Sequence, residues 1–182
     1  MAYRDKLRSM AETSMAPGES YRAGMRVSSR GATLVTAVGA GVGAAAGYLI
    51  GGAETLLASA IGGGVGGGVG ALLGVGAAFV VGTRVPGTRN PFLAMVITDR
   101  AVRLHERSPL SNRPRPGPAV EVMRTDVRSM DLGPKRLTFP RKLTVSLRDG
   151  TRWDLEAVPL DDPEALVEEF DSGPQPPTAP TP

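Results

Sequence analysis

Lys142-Leu-Thr-Val-Ser-Leu-Arg-Asp-Gly-Thr-Arg-Trp-Asp-Leu-Glu-Ala157 alternates apolar and polar residues on either side of an Asp149-Gly150 break. Successive side chains of an extended chain point to opposite faces, so Leu143, Val145 and Leu147 share one face. Trp153 and Leu155 continue that face after the break. A two-residue loop would pair Leu147 with Arg152 and put the apolar sets out of register. A three-residue loop pairs 147 with 151, 145 with 153 and 143 with 155. It places Gly150 in the left-handed conformation of a bulged turn. The segment therefore reads as a β-hairpin with one buried face.

Working outward, the texture on both sides is that of one small domain. Asp161-Asp162-Pro163-Glu164 predicts a helix start, with an acidic cap, proline in the first turn and acids at the positive end of the dipole. Ala165, Leu166 and Phe170 supply its apolar stripe. Ser172–Pro182 holds five prolines and is expected to be disordered. Upstream, residues 92–98 form a continuous apolar run of the buried-strand type. Residues 101–107 alternate, with Val102 and Leu104 on one face and Arg103, His105 and Arg107 on the other, the face expected to be exposed. Residues 108–118 are proline-rich and read as a loop. Further short strands are expected at 119–124, 126–132, 136–139 and 19–27. At the amino terminus Tyr3, Leu7 and Met10 fall at helical spacing among Arg4, Lys6 and Arg8. This predicts a basic amphipathic segment over 1–16, of a kind that lies on anionic membrane surfaces or frays.

The 182 residues fall into four blocks of different charge. Residues 1–30 carry six bases and three acids. Residues 31–83 carry only Glu54. Residues 84–152 carry fifteen bases and six acids, and residues 153–182 carry eight acids and no base. The uncharged block has two stretches long enough to span a bilayer, for which about 20 apolar residues suffice. Helices are expected at about 32–50 and 57–82, with a turn at Gly51–Thr55. Gly39, Gly43, Gly47 and Gly51 recur every four residues, as do Gly62, Gly66, Gly70 and Gly74. A four-residue step keeps them on one helix face, where backbones approach closely. Arg22, Arg26 and Arg30 before the block and Arg84 and Arg89 after it put both ends in the cytoplasm by the positive-inside rule. The block resembles the glycine-zipper two-helix segments of small bacterial membrane proteins.

A second resemblance lies in the strand-rich part. Ile97-Thr98-Asp99-Arg100-Ala101-Val102-Arg103-Leu104, Asp126-Val127-Arg128-Ser129-Met130, and Leu147-Arg148-Asp149-Gly150 with Leu155 are similar to the hairpin and strand motifs of small bacterial pleckstrin-homology-like (PH-like) domains. Pro17-Gly18-Glu19 resembles the opening of such domains. The resemblance implies a domain built from 19–27 and 91–171, with the apolar hairpin inserted after its first strand. The expected fold class is thus α+β: a transmembrane glycine-zipper hairpin plus a small antiparallel PH-like β-barrel with a C-terminal helix, and a disordered tail over 172–182. The expected location is the bacterial inner membrane, multi-pass, with both termini cytoplasmic.

Function is bounded mainly by exclusion. With no cysteine there is no disulfide, thiolate metal site or cysteine nucleophile. His105 is the only imidazole, the acids at Glu164, Glu168, Glu169 and Asp171 lack calcium-loop spacing, and the glycine-rich run lacks the Lys-Ser/Thr of a phosphate loop. No enzyme, metal or cofactor is expected. Nucleic acid is not an expected partner, since stacking aromatics and recognition motifs are missing. Arg100, Arg103, Arg107, Arg113, Arg115, Arg128, Arg136 and Arg141 are the candidate contacts for anionic lipid head groups or a cytoplasmic protein partner. The expected role is a non-enzymatic membrane anchor that oligomerises and presents the PH-like domain. The alternatives are a pore-forming or permeabilising oligomer regulated by that domain, and a soluble binding module with a Gly-rich insert.

Overall fold

The computed structural model describes residues 3–32, 85–108, 111, 113–135, 140–158 and 161–173. The chain divides into two compact units, residues 1–28 with 84–182, and residues 29–83. The first carries helix α1 (Tyr3–Glu12), strands β1 (Tyr21–Ser29), β2 (Phe92–Thr98), β3 (Ala101–Glu106), β4 (Val120–Met123), β5 (Val127–Leu132), β6 (Arg141–Leu147) and β7 (Arg152–Ala157), and helix α2 (Pro163–Asp171). A 3-10 turn at Arg124–Asp126 joins β4 to β5.

The strands form one antiparallel sheet in the order β4-β3-β2-β1-β7-β6-β5. Strands β4 and β5 are its two edges, yet only three residues separate them. A flat sheet would hold the edges roughly 29 Å apart at the usual strand spacing, whereas the link spans at most about 14 Å. The sheet must therefore roll. The roll encloses Met25, Val27, Leu93, Met95, Ile97, Val102, Leu104, Met130, Leu143, Val145, Trp153 and Leu155, all buried, and Leu166 of α2 joins them.

The β6–β7 hairpin has the register its alternation requires. Val145 faces Trp153 and Leu143 faces Leu155. The Leu147 N–H donates to the Thr151 carbonyl (2.8 Å), and Gly150 has φ +89°. Helix α2 starts as its sequence implies: the Asp162 side chain accepts from the Ala165 N–H, with Pro163 in the first turn. Leu166 is buried, whereas Ala165 is exposed and does not join the stripe. Helix α1 buries Leu7 and Ala11 and packs on β2. Its other apolar residues, Tyr3 and Met10, are half-buried. Gly24 stands in β1 because a Cβ there would come within 2.8 Å of the Tyr21 hydroxyl and 3.2 Å of the Met95 carbonyl.

The expected α+β class is overturned. Among the described residues the molecule is mostly β, with two helices of ten and nine residues. None is long and apolar enough to cross a membrane. Among the described residues the two edge strands do not pair with each other, so the sheet is open and rolled and not a closed barrel. The multi-pass inner-membrane assignment falls with that class. Two of the cations that set its orientation, Arg22 and Arg26, lie inside β1, and Arg26 is spent on an internal partner. The helices expected at 32–50 and 57–82, apart from Ala32, lie outside the described residues, as do Gly39, Gly43, Gly47, Gly51, Gly62, Gly66, Gly70 and Gly74, the strand at 136–139 and the tail beyond Gly173.

Arg26 is the joint between β1, α1 and the approach to α2. Its N–H and Nε both donate to Asp161 Oδ2 (2.8 Å each), and its Nη2 donates to Oδ1 (2.6 Å). Its guanidinium lies 4.9 Å from the centre of the Tyr3 ring, whose hydroxyl pKa is pushed up to about 12, chiefly by burial. Removing the anion alone strands a largely buried cation. Asp161→Ala should therefore cost about 3 kcal/mol or more, and the double variant Arg26→Met with Asp161→Leu should recover much of it. Urea unfolding of the three proteins checks both statements.

Candidate functional site

The arginines expected as candidate contacts lie at separate places in the fold. Arg103 Nη2 donates to Glu19 Oε2 (2.8 Å) and Glu121 Oε1 (3.1 Å). Glu19 is itself buried and also accepts from the Thr98 hydroxyl (2.5 Å) and the Ala16 N–H (2.9 Å). Burial alone would raise the Glu19 pKa, but these hydrogen bonds outweigh it and hold the carboxyl below its ordinary value. The Pro17-Gly18-Glu19 and Thr98–Arg103 motifs thus meet in a structural ion pair. Arg107 is buried and donates from Nε to the Leu93 carbonyl (3.1 Å), over the Phe92 ring. Arg141 binds the Gly133 carbonyl through Nε and Nη2 (3.0 and 2.7 Å) and pairs with Glu164.

The rest are scattered. Arg100 lies exposed in the β2–β3 turn, whereas Arg113 and Arg115 lie beyond the other end of β3. Six strand residues separate the two ends, roughly 20 Å. Arg115 faces Glu106 (3.5 Å), Arg128 is exposed on β5, and Arg136 lies outside the described residues. These positions cannot clamp one head group.

His105 is fully buried, contrary to the expected exposed position. The alternation placed it correctly on the face opposite Leu104, but that face is itself covered. Its Nδ1 lies 3.1 Å from the Gly117 carbonyl, so Nδ1 carries the proton. Nε2 is buried and makes no hydrogen bond of normal geometry. Among the described residues no group of three or more His, Asp or Glu could hold a metal.

A different site emerges at the corner where the rolled edges meet. The β6–β7 turn is tied to the 3-10 turn: the Arg148 N–H donates to the Asp126 carbonyl (2.8 Å) and its Nε to the Thr125 carbonyl (2.7 Å). Between them opens a cleft of about 600 Å³, lined by Glu121, Val122, Met123, Asp126, Leu147, Arg148 and Asp149. Met123 is 50% exposed, the one exposed large hydrophobic side chain among the described residues. Arg124, next in the chain, turns inward. Its Nη2 donates to the Glu169 and Phe170 carbonyls (2.6 and 2.5 Å), satisfying the negative end of α2. This cap fixes the 3-10 turn and hence the floor of the cleft. A second, smaller cleft of about 320 Å³ lies between α1, β1 and α2.

No family model and no curated protein matches this chain. Its class therefore rests on the fold and the corner cleft.

Burial, the largest influence on His105, pushes its pKa below the ordinary 6.5. The Arg115 and Gly117 carbonyls and Glu121 oppose that shift, and Arg103 reinforces it. The unfolded chain then binds the proton more readily than the folded one. The stability this histidine contributes is present above about pH 6.5 and lost as the pH falls below it. Thermal unfolding between pH 7.5 and 5 should show a decline that is shallower in His105→Gln. The depressed Glu19 and Asp154 act at lower pH and in both proteins alike.

Proposed function

We propose that the sheet domain is a non-enzymatic binding module that docks a protein partner at the corner cleft. One observation carries the reading. The described surface exposes a single large apolar side chain, Met123, and it sits in the larger cleft, beside the half-buried Val122. Isolated exposed apolar residues are common, but one seated in a cleft can meet an anchor residue of a protein partner in a pocket sheltered from water.

The kind of module is the PH-like one that the motifs imply. Two meanders, β1–β4 and β5–β7, followed by a terminal helix support this reading. Head-group recognition is the weaker alternative, because the exposed arginines lie at separate ends of the sheet and Arg103, Arg107 and Arg141 are internal. The one imidazole is buried under the β3–β4 connection and does not reach this cleft.

A photo-crosslinking residue in place of Met123 should give, in cells, a covalent adduct containing a second protein. The same residue in place of Arg115, beyond the far end of β3, should give none. An absence of protein adducts at 123 overturns the reading.

A further inference from the structure

We propose that the occupant of this cleft is an extended, cationic segment of the partner that adds as a strand to the free edge of β4. The inference rests on the binding-module reading above and specifies how the partner is held.

The backbone of β4 sets the geometry. Its register pairs Val122 with Val102 and Val120 with Leu104. The Arg124 N–H donates to the Arg100 carbonyl (2.7 Å), which fixes the parity of the ladder. Even-numbered residues bond β3, so the N–H and C=O groups of Glu121 and Met123 point away from it. No strand lies on that side among the described residues. Upstream the parity is the opposite. The Arg115 N–H donates to the Glu106 carbonyl, and Arg113 accepts from Ser108. The outward positions there are Pro114 and Pro116, which have no N–H to offer. The edge is thus closed to strand addition before Ala119 and open at Glu121 and Met123.

Chemistry sets the occupant. Glu121, Asp126 and Asp149 bring three carboxylates to the cleft against one guanidinium, that of Arg148. Glu121 shares an oxygen with Arg103 yet remains 45% exposed. This acidic cleft lies on a stretch, 84–152, that is otherwise strongly basic. Charge complementarity selects a cationic segment and disfavours another such basic surface. Glu121 and Met123 project on the same face two residues apart. Directly opposite them an added strand carries a Lys or Arg and, two residues away, an apolar side chain.

The test uses the full chain, labelled with ¹⁵N, and synthetic peptides. The probe is acetyl-Thr-Lys-Thr-Val-Thr-Lys-Thr-amide, which presents Lys and Val two apart in either direction. The expected result is movement of the amide signals of 121–126 and 147–149, with binding that weakens as salt is raised. The peptide with Glu in place of both Lys should bind at least tenfold more weakly, and so should the Lys peptide N-methylated at Val. Met123→Pro should weaken binding at least tenfold. Met123 already has φ −61° and its N–H lies outside the β3 ladder, so proline fits the fold. Glu121→Lys is the second variant should Met123→Pro lose its far-UV circular dichroism.

Equal binding of the Lys and Glu peptides, tolerance of N-methylation, or signals that move elsewhere would overturn the proposal. So would a dimer of the chain that Met123→Pro dissociates, since the occupant would then be a second copy. Protein adducts at position 123 with no binding of the Lys peptide leave the module reading intact and remove strand addition. A failure of both removes both.

Discussion

The three-residue link between β4 and β5 is the constraint on which the rest of the structure depends. It joins the two ends of a seven-stranded sheet and so forbids a flat one. Once the sheet rolls, one face of every strand turns inward, which is why a chain with 4% aromatics still builds a continuous core around Trp153. The same roll leaves a mouth for α2 to cover, and it carries the β6–β7 turn to the 3-10 turn. The cleft is a product of that closure. Two edges brought together at a corner, but not paired, leave a gap with unbonded backbone on one side.

Arginine does much of the tying. Arg26 binds Asp161, Arg103 bridges Glu19 and Glu121, Arg124 caps α2, and Arg107 and Arg141 reach the Leu93 and Gly133 carbonyls. Arg26, Arg103 and Arg124 join segments distant in sequence. A planar guanidinium with several fixed donors satisfies carbonyls and carboxylates that a single ammonium cannot reach together, and its stem packs as an apolar rod. A chain with eighteen arginines and three lysines is therefore rich in internal fasteners. Part of the basic charge that looks like a binding surface in the sequence, at Arg103, Arg107 and Arg141, is internal structure.

This is where the sequence was legible and where it was not. Local rules located the β6–β7 hairpin, its register and its Gly150 turn, the cap of α2, and the strands at 92–98 and 101–106, because each depends on neighbours a few residues away. Destinations of long side chains depend on contacts that local patterns do not encode. Alternation put Arg103 and His105 on one face of β3, but nothing in β3 says that this face is covered as well. Glu19 was visible as part of a motif, yet its partner lies 84 positions away. Asp161 carried a faint signal: two acids precede Pro163 and one suffices for the cap, which leaves the other for Arg26. The corner cleft had none, since Val120–Met123 reads as an ordinary short strand and becomes an edge only through the order of the sheet.

The treatment of the two edges bears on function. An exposed edge invites pairing with any passing chain, and folds blunt it with charge, proline or cover. Strand β5 has both charge and cover: Arg128 and Asp131 are exposed along it, and α2 packs against it. The approach to β4 is blunted by Pro114 and Pro116. The span from Glu121 to Met123 has neither proline nor a covering element among the described residues, and it exposes a methionine. A polar residue at 123 would have served the fold as well, because the side chain contributes nothing to the core cluster. An apolar side chain where the edge is open is the observation on which the proposal of a contact surface rests, and the carboxylates around it narrow the choice of what such a surface would hold.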